Sequence, residues 1–289
     1  MTRLPSGRLR VALLGAGSVG TAVAALLKRS GHEITGVSSR TSQSAARAAD
    51  LLEARAFALY DLPPADVVLI GVPEPALSAV ATSLAGRRDA VAVHFAGSAG
   101  IAPLASLPAG IARCALHPVQ ACPDVVTAIQ RLPGSAWGVT CSDGSTSWAT
   151  ELIEDDLQGT AFEVAEEHRP LWHAAAVTTS NGIAALIATG EALLRSLGVD
   201  RPGDVLGPIS AGTVANVRAA GGGAVALTGP VVRKEAAAIE RHVAAVAGTA
   251  PDLLAPYVNA LRMIVSSARS AGRIDAADET ALLKSLEVR

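Results

Sequence analysis

Apolar and polar positions along the first half of the chain fall into short blocks, and the first clear block is Val11-Ala12-Leu13-Leu14. Four consecutive apolar residues suit a strand covered on both faces. The period then changes. Val19, Val23, Leu26 and Leu27 recur at helical intervals from Ser18 to Ser30, and Gly31 closes the run. The same alternation continues with a predicted strand over 33–39, a helix over 42–54 and a short strand over 56–59. Asp66-Val67-Val68-Leu69-Ile70-Gly71 holds a continuous apolar run, as expected of a central parallel strand. Pro75 then suits the first turn of a helix reaching Leu84. Further strands are predicted over 90–95, 114–116, 136–141 and 161–164, with a helix near 145–157.

After Glu166 helical periodicity takes over almost to the end. A helix from about His168 to Leu197 carries an apolar seam of Trp172, Ala176, Thr179, Ile183, Leu186, Ile187 and Leu194. At 1.5 Å per residue it is about 45 Å long, more than a small domain's interior needs, so it is expected to bridge two domains or a subunit contact. Helices are predicted over 202–219, 230–247, 251–271 and 275–286, broken by Gly221-Gly222-Gly223 and Thr228-Gly229-Pro230.

The junction between first strand and first helix reads Gly15-Ala16-Gly17-Ser18-Val19-Gly20, a G-x-G-x-x-G loop. Gly15 permits a tight turn, Gly17 allows backbone to approach a pyrophosphate, and Gly20 lets helix and strand pack closely. The free N–H groups of the helix start, at Ser18 and Val19, then face phosphate. Strand, loop and helix in this order predict a Rossmann-type dinucleotide site. The fold class is therefore α/β: a doubly wound Rossmann sheet over 1–166, followed by an all-α domain over 167–289 expected to bind substrate and to dimerise.

The second strand ends in Ser38-Ser39-Arg40-Thr41, with no acidic residue to accept hydrogen bonds from a ribose. Ser39, Arg40 and Thr41 suit the extra 2′-phosphate of NADP, for which a guanidinium supplies paired charged donors. Loops beyond the carboxyl ends of later strands supply the remaining walls of one cleft: Val72, Pro73 and Glu74; Gly97 and Ser98; His117 and Pro118.

Composition narrows the partners. The chain has 289 residues, is 50% hydrophobic and has a formal net charge of −2, which gives no electrostatic footprint for nucleic acid or an anionic membrane. The uncharged stretches over 90–112 and 171–190 are interrupted by prolines and polar residues, so no membrane span is expected. Cys114, Cys122 and Cys141 have no C-x-x-C spacing, which fits a reducing cytoplasm. Only three residues are lysines, and no metal-ligand spacing is present.

Several segments together resemble a large superfamily of Rossmann dehydrogenases with a 6-phosphogluconate dehydrogenase-like helical C-terminal domain. They are residues 11–20, 72–74 and 94–97, Leu116-His117-Pro118-Val119-Gln120, residues 173–181, and Ala226-Leu227-Thr228-Gly229-Pro230 with Arg233. Ketopantoate reductase, pyrroline-5-carboxylate reductase and prephenate dehydrogenase belong to this superfamily. Within it, the chain most resembles a family of predicted oxidoreductases that pairs a Rossmann-like domain with a helical domain of unknown function. The resemblance implies an NADP-dependent oxidoreductase and a homodimer.

It also implies site residues. Asn181 matches an asparagine that relatives carry four residues after a catalytic lysine, but Val177 occupies the lysine position here. His117-Pro118 resembles the start of a motif whose histidine contacts substrate in prephenate dehydrogenases, although Val119-Gln120-Ala121 departs from it. His173 shares a helical stripe with Val177 and Asn181, and imidazole can serve as acid or base near neutrality. His117, His173 and Asn181 are therefore the expected catalytic residues, with a small carbonyl or hydroxy acid as substrate, of a ketopantoate-like or prephenate-like type. His94, inside a strand, reads as core. Arg233 and Lys234 offer two cations for a substrate carboxylate or an exposed helix start. The alternative to an enzyme is a non-catalytic NADP-binding protein that reports cofactor state to a partner.

Overall fold

The computed structural model describes residues 4–142 and 144–287 of the chain. The chain divides into two compact units, Met1–Thr178 and Thr179–Arg289.

The first unit is built on one eight-stranded sheet: β1 (Arg10–Leu14), β2 (Glu33–Ser38), β3 (Ala56–Phe57), β4 (Val67–Ile70), β5 (Val91–His94), β6 (Ala112–Pro118), β7 (Ala136–Cys141) and β8 (Thr160–Glu163). The spatial order is β3-β2-β1-β4-β5-β6-β7-β8. Neighbours run parallel except β6 and β7, which pair antiparallel with His117 opposite Gly138. Side chains alternate across a strand, so β1 feeds both layers. Val11 and Leu13 enter one core with helix α1 (Ser18–Arg29), whereas Ala12 and Leu14 enter the other with Leu77, Val80 and Ala81. The expected doubly wound sheet is the fold observed.

Helix α2 (Ser42–Leu52) covers the same face as α1, and α3 (Leu77–Ser83), after a 3₁₀ turn at Glu74–Ala76, covers the opposite one. Helix α4 (Val125–Arg131) was not expected from the apolar pattern, because Ala128 is its one buried residue; its start is fixed by Asp124, whose carboxylate accepts from the Thr127 amide at 2.8 Å. Helix α5 (Thr146–Glu151) passes into a π-helical turn at Leu152–Asp156.

Helix α6 (Arg169–Ser196) begins in the first unit and continues in the second. The second unit adds α7 (Pro202–Ala220), α8 (Ala236–Thr249), α9 (Leu254–Ser270) and α10 (Ala276–Lys284). Its core is formed by α8, α9 and α10 through residues such as Ile239, Val243, Leu261, Val265 and Leu282. The helix expected from residue 230 starts only at Ala236. Lys234 takes a left-handed backbone conformation (φ 60°), and the Glu235 amide folds back onto the Pro230 carbonyl, so residues 230–235 form turns instead. Apart from Arg169 on α6 and Pro202 on α7, no residue of these two helices is buried. Among the described residues, no helix is long and apolar enough to cross a membrane.

Candidate active site

The sheet order reverses between β1 and β4, the topological switch point at which open α/β sheets leave a crevice beyond their strand ends. The glycine loop lies there. Gly15 has φ 91°, and its amide donates to the Ser38 carbonyl of β2 at 2.8 Å. The loop packs directly on Gly71 after β4: a Cβ on Gly20 would lie 2.9 Å from the Gly71 Cα, and one on Gly17 would lie 2.8 Å from the Gly71 carbonyl oxygen. Gly71 is therefore as necessary to this packing as the motif glycines, although it lies outside the motif.

A groove of about 270 Å³ opens here, lined by Gly17, Ser18, Val19, Gly20, Gly71, Val72, Pro73, Phe95 and Ala96. No side chain caps α1, and no acidic residue occupies its first turn. The first turn bond runs from the Thr21 amide to the Gly17 carbonyl, which leaves the amides of Ser18, Val19 and Gly20 without acceptors among the described residues. Such a helix start suits an anion.

At the end of β2, the Ser39 hydroxyl accepts from the Ala16 amide at 3.5 Å. Arg40 is exposed, with no side-chain partner among the described residues. Thr41 caps α2, accepting from the Ser44 amide at 3.2 Å. Of the three residues expected to bind a 2′-phosphate, Arg40 is the one with an uncommitted charge.

Farther along the strand ends, β6 delivers His117 and the first turns of α6 deliver His173. The two rings meet edge to face, 5.2 Å apart at their centroids. The Trp172 indole N–H donates to His117 Nδ1 at 3.2 Å. Burial first, then the charges of Arg169 and His173, pull the His117 pKa down to about 4. His117 Nε2 has no partner among the described residues and is not sealed from solvent. His173 Nδ1 is buried without a partner, against Gly97, where any Cβ would collide with the imidazole. Gly97, expected beside the cofactor, thus provides the space for His173.

Arg169 is fully buried, with no carboxylate partner among the described residues. Its guanidinium donates to the carbonyls of Ala99 at 3.2 Å and Gly138 at 3.0 Å, and also to those of Ala96 and Ala115. Nearby, Ser98 donates to Glu74 at 2.6 Å. His94 is buried with its Nε2 on the Gly100 carbonyl at 2.7 Å and its Nδ1 accepting from Ala96, as its core reading expected.

The structure therefore gathers Gly15, Gly17, Ser18, Val19, Gly20, Val72 and Pro73 at one groove, and His117, His173 and Gly97 at a neighbouring cluster. Asn181 is exposed, two turns beyond His173 on α6, and belongs to the second unit. Arg233 and Lys234 are each paired, with Glu235 at 2.8 Å and Asp278 at 2.8 Å respectively. Sequence reasoning missed Arg169 and the polar role of Trp172. An arginine three positions before a tryptophan gives no sign of burial; only the surrounding carbonyls do.

Residues 2–118 match the model of a Rossmann-like domain, and residues 135–264 match a domain of unknown function, DUF2520. The chain pairs these two domains. The second match begins just before β7, so it includes the last two strands of the sheet. No curated protein matches the chain. Among solved structures, it is similar to a protein of Bacteroides fragilis described as a candidate NADP oxidoreductase, with 25% identity and a TM-score of 0.74 over 89% of this chain and 98% of that one. It is also similar to the protein TM1727 of Thermotoga maritima, with 22% identity and a TM-score of 0.73 over 91% and 99%. A 1-pyrroline-5-carboxylate reductase of Streptococcus pyogenes shares the fold, with 16% identity and a TM-score of 0.57 over 74% and 81%.

Proposed function

We propose that this protein is an NADP-dependent oxidoreductase that transfers a hydride to or from a small carbonyl or hydroxy acid and works as a homodimer. The observation that carries the reading is that one edge of the sheet holds both an uncapped helix start at the switch point and, three strands along at the end of β6, the paired rings of His117 and His173. The description of the Bacteroides fragilis relative supports the cofactor class.

The residues present fit the cofactor. Gly15, Gly17 and Gly20 would clear the approach, and the amides of Ser18, Val19 and Gly20 would donate to its pyrophosphate. Arg40, flanked by Ser39 and Thr41, provides the charge for a 2′-phosphate, and Val72, Pro73 and Ala96 line the way toward the histidines. When bound, the nicotinamide supplies or takes up the hydride. His117 and His173 address the substrate oxygen, with Asn181 the third residue proposed to orient substrate. With Val177 where relatives carry lysine, an imidazole has to do the work of the missing ammonium group.

Calorimetry tests the cofactor half. NADPH should bind more tightly than NADH, and Arg40→Ala should weaken NADPH about tenfold with no gain for NADH, the loss expected of a charged phosphate contact. Absence of heat with either cofactor would sink the proposal. Tight NADPH binding with no turnover on any 2-oxo acid would instead support the non-catalytic reading.

A further inference from the structure

We propose that Trp172 fixes His117 as its Nε2–H tautomer, so that the site offers a neutral N–H donor to a substrate oxygen, as in a ketone or aldehyde, and disfavours a protonated imine. The substrate half of this inference rests on the hydride-transfer reading; the tautomer half does not.

An indole N–H can only donate. Because the Trp172 N–H points at His117 Nδ1 from 3.2 Å, that nitrogen must carry its lone pair, and the ring proton of neutral imidazole goes to Nε2. Nε2 is the nitrogen left open. Converting the ring to imidazolium would set an Nδ1–H against the indole N–H, two donors face to face.

Three contacts hold the indole in place. Gly138 stands opposite His117 in the antiparallel ladder, and a Cβ there would come within 2.6 Å of Trp172 Nε1. The absence of that Cβ is what lets the indole lie over β7 and reach across to β6. Phe162 of β8 packs against the indole at a tilt of 38°, with ring centroids 6.3 Å apart. One helical turn earlier, Arg169 anchors α6 to the Gly138 carbonyl.

The charges around His117 act in the same sense. Arg169 and His173 both disfavour a cation on the ring, opposed by the weaker influence of Glu74. A substrate arriving as a protonated imine would bring its own N–H toward an N–H donor in a positive field. A carbonyl oxygen brings lone pairs instead. When bound, NADPH would supply the hydride to the carbonyl carbon; as the C=O π pair moved to oxygen, Nε2–H would donate to that oxygen and hold the developing charge, and water would supply the proton that completes the hydroxyl. Neutral imidazole is suited to this electrophilic role.

The test is long-range proton–nitrogen NMR on the full-length protein labelled with ¹⁵N-histidine. His117 should show the Nε2–H pattern from about pH 5 to 8, without titrating at the ordinary histidine value of about 6.5. Trp172→Phe should give mixed tautomers and a midpoint at least one pH unit higher. Gly138→Ala should do the same by displacing the indole while keeping it. An Nδ1–H pattern in the wild type, an ordinary titration, or an unchanged spectrum in Trp172→Phe would overturn the tautomer assignment.

Turnover with NADPH on 2-oxo acids and aldehydes is then compared with turnover on cyclic imines. Reduction should be confined to the carbonyl class, with Trp172→Phe lowering kcat about tenfold and leaving KM within about twofold, the pattern of an interaction made in the transition state. Faster reduction of imines overturns the substrate class. No reduction of either by protein that binds NADPH overturns the substrate class together with the hydride-transfer reading, while the spectra alone judge the tautomer.

Discussion

At His94 the neutral ring has both nitrogens occupied: Nε2 donates to the Gly100 carbonyl, and Nδ1 accepts from the Ala96 amide. A second proton would have to sit between two donors. Burial, as the leading cause, pulls the His94 pKa down to about 4, and His117 reaches the same value by burial, Arg169 and His173. Both groups therefore ionise more readily in the unfolded chain, whose histidines titrate near 6.5. As pH falls from about 6.5 toward 4, the unfolded state takes up protons that the folded state refuses; stability declines across that window and levels off below it. Urea unfolding at pH 7 and at pH 4.5 should show the decline, with His94 contributing on the order of 2 kcal/mol. His94→Gln should remove its share of the slope; an unaltered slope would contradict this account.

Arg169 matters at the scale of elements, because its one side chain joins the loop after β5, the strands β6 and β7, and the start of α6. A guanidinium offers five donors in a rigid fork and stays charged even though burial lowers its pKa. Arg169→Met should destabilise the protein by about 2–4 kcal/mol, through carbonyls left unsatisfied. It should also raise the His117 pKa, since a neighbouring cation is lost. Arg169→Lys keeps the charge without the fork, so it should preserve the low His117 pKa better than it preserves stability. Denaturant titration and histidine NMR separate the two effects. The elements themselves were legible where apolar runs were long: β1, β4, β5, α1 and α6 fall close to their expected spans. Helix α4 was not, because a helix with one buried residue leaves almost no periodic signal. The start of α8 was missed because a left-handed Lys234 is not a sequence property.

For the whole molecule, the open question is what covers α6 and α7. Ile183 is 40% exposed, Leu186 43%, Val205 56% and Ile209 66%, on helices that bury almost nothing in the described chain. Burying apolar area of this kind is worth about 25 cal/mol per Å², which favours covering these helices in an assembly. We expect light scattering at micromolar concentration to report a dimer, and Ile183→Glu combined with Ile209→Glu to shift it to monomer. A monomeric wild type would remove the dimer from the proposal.

Sequence alone determined the sheet and its glycine loop, because strand burial, helix period and turn geometry are local demands that each residue meets within a few neighbours. It also supplied His117 and His173 as candidates. That the two rings touch, that Trp172 reaches His117 over Gly138, and that a buried Arg169 lies beneath them are matters of tertiary structure alone. These contacts join residues 31 to 73 positions apart, and their physics is the desolvation and hydrogen bonding that exist only after the strand ends have been brought together.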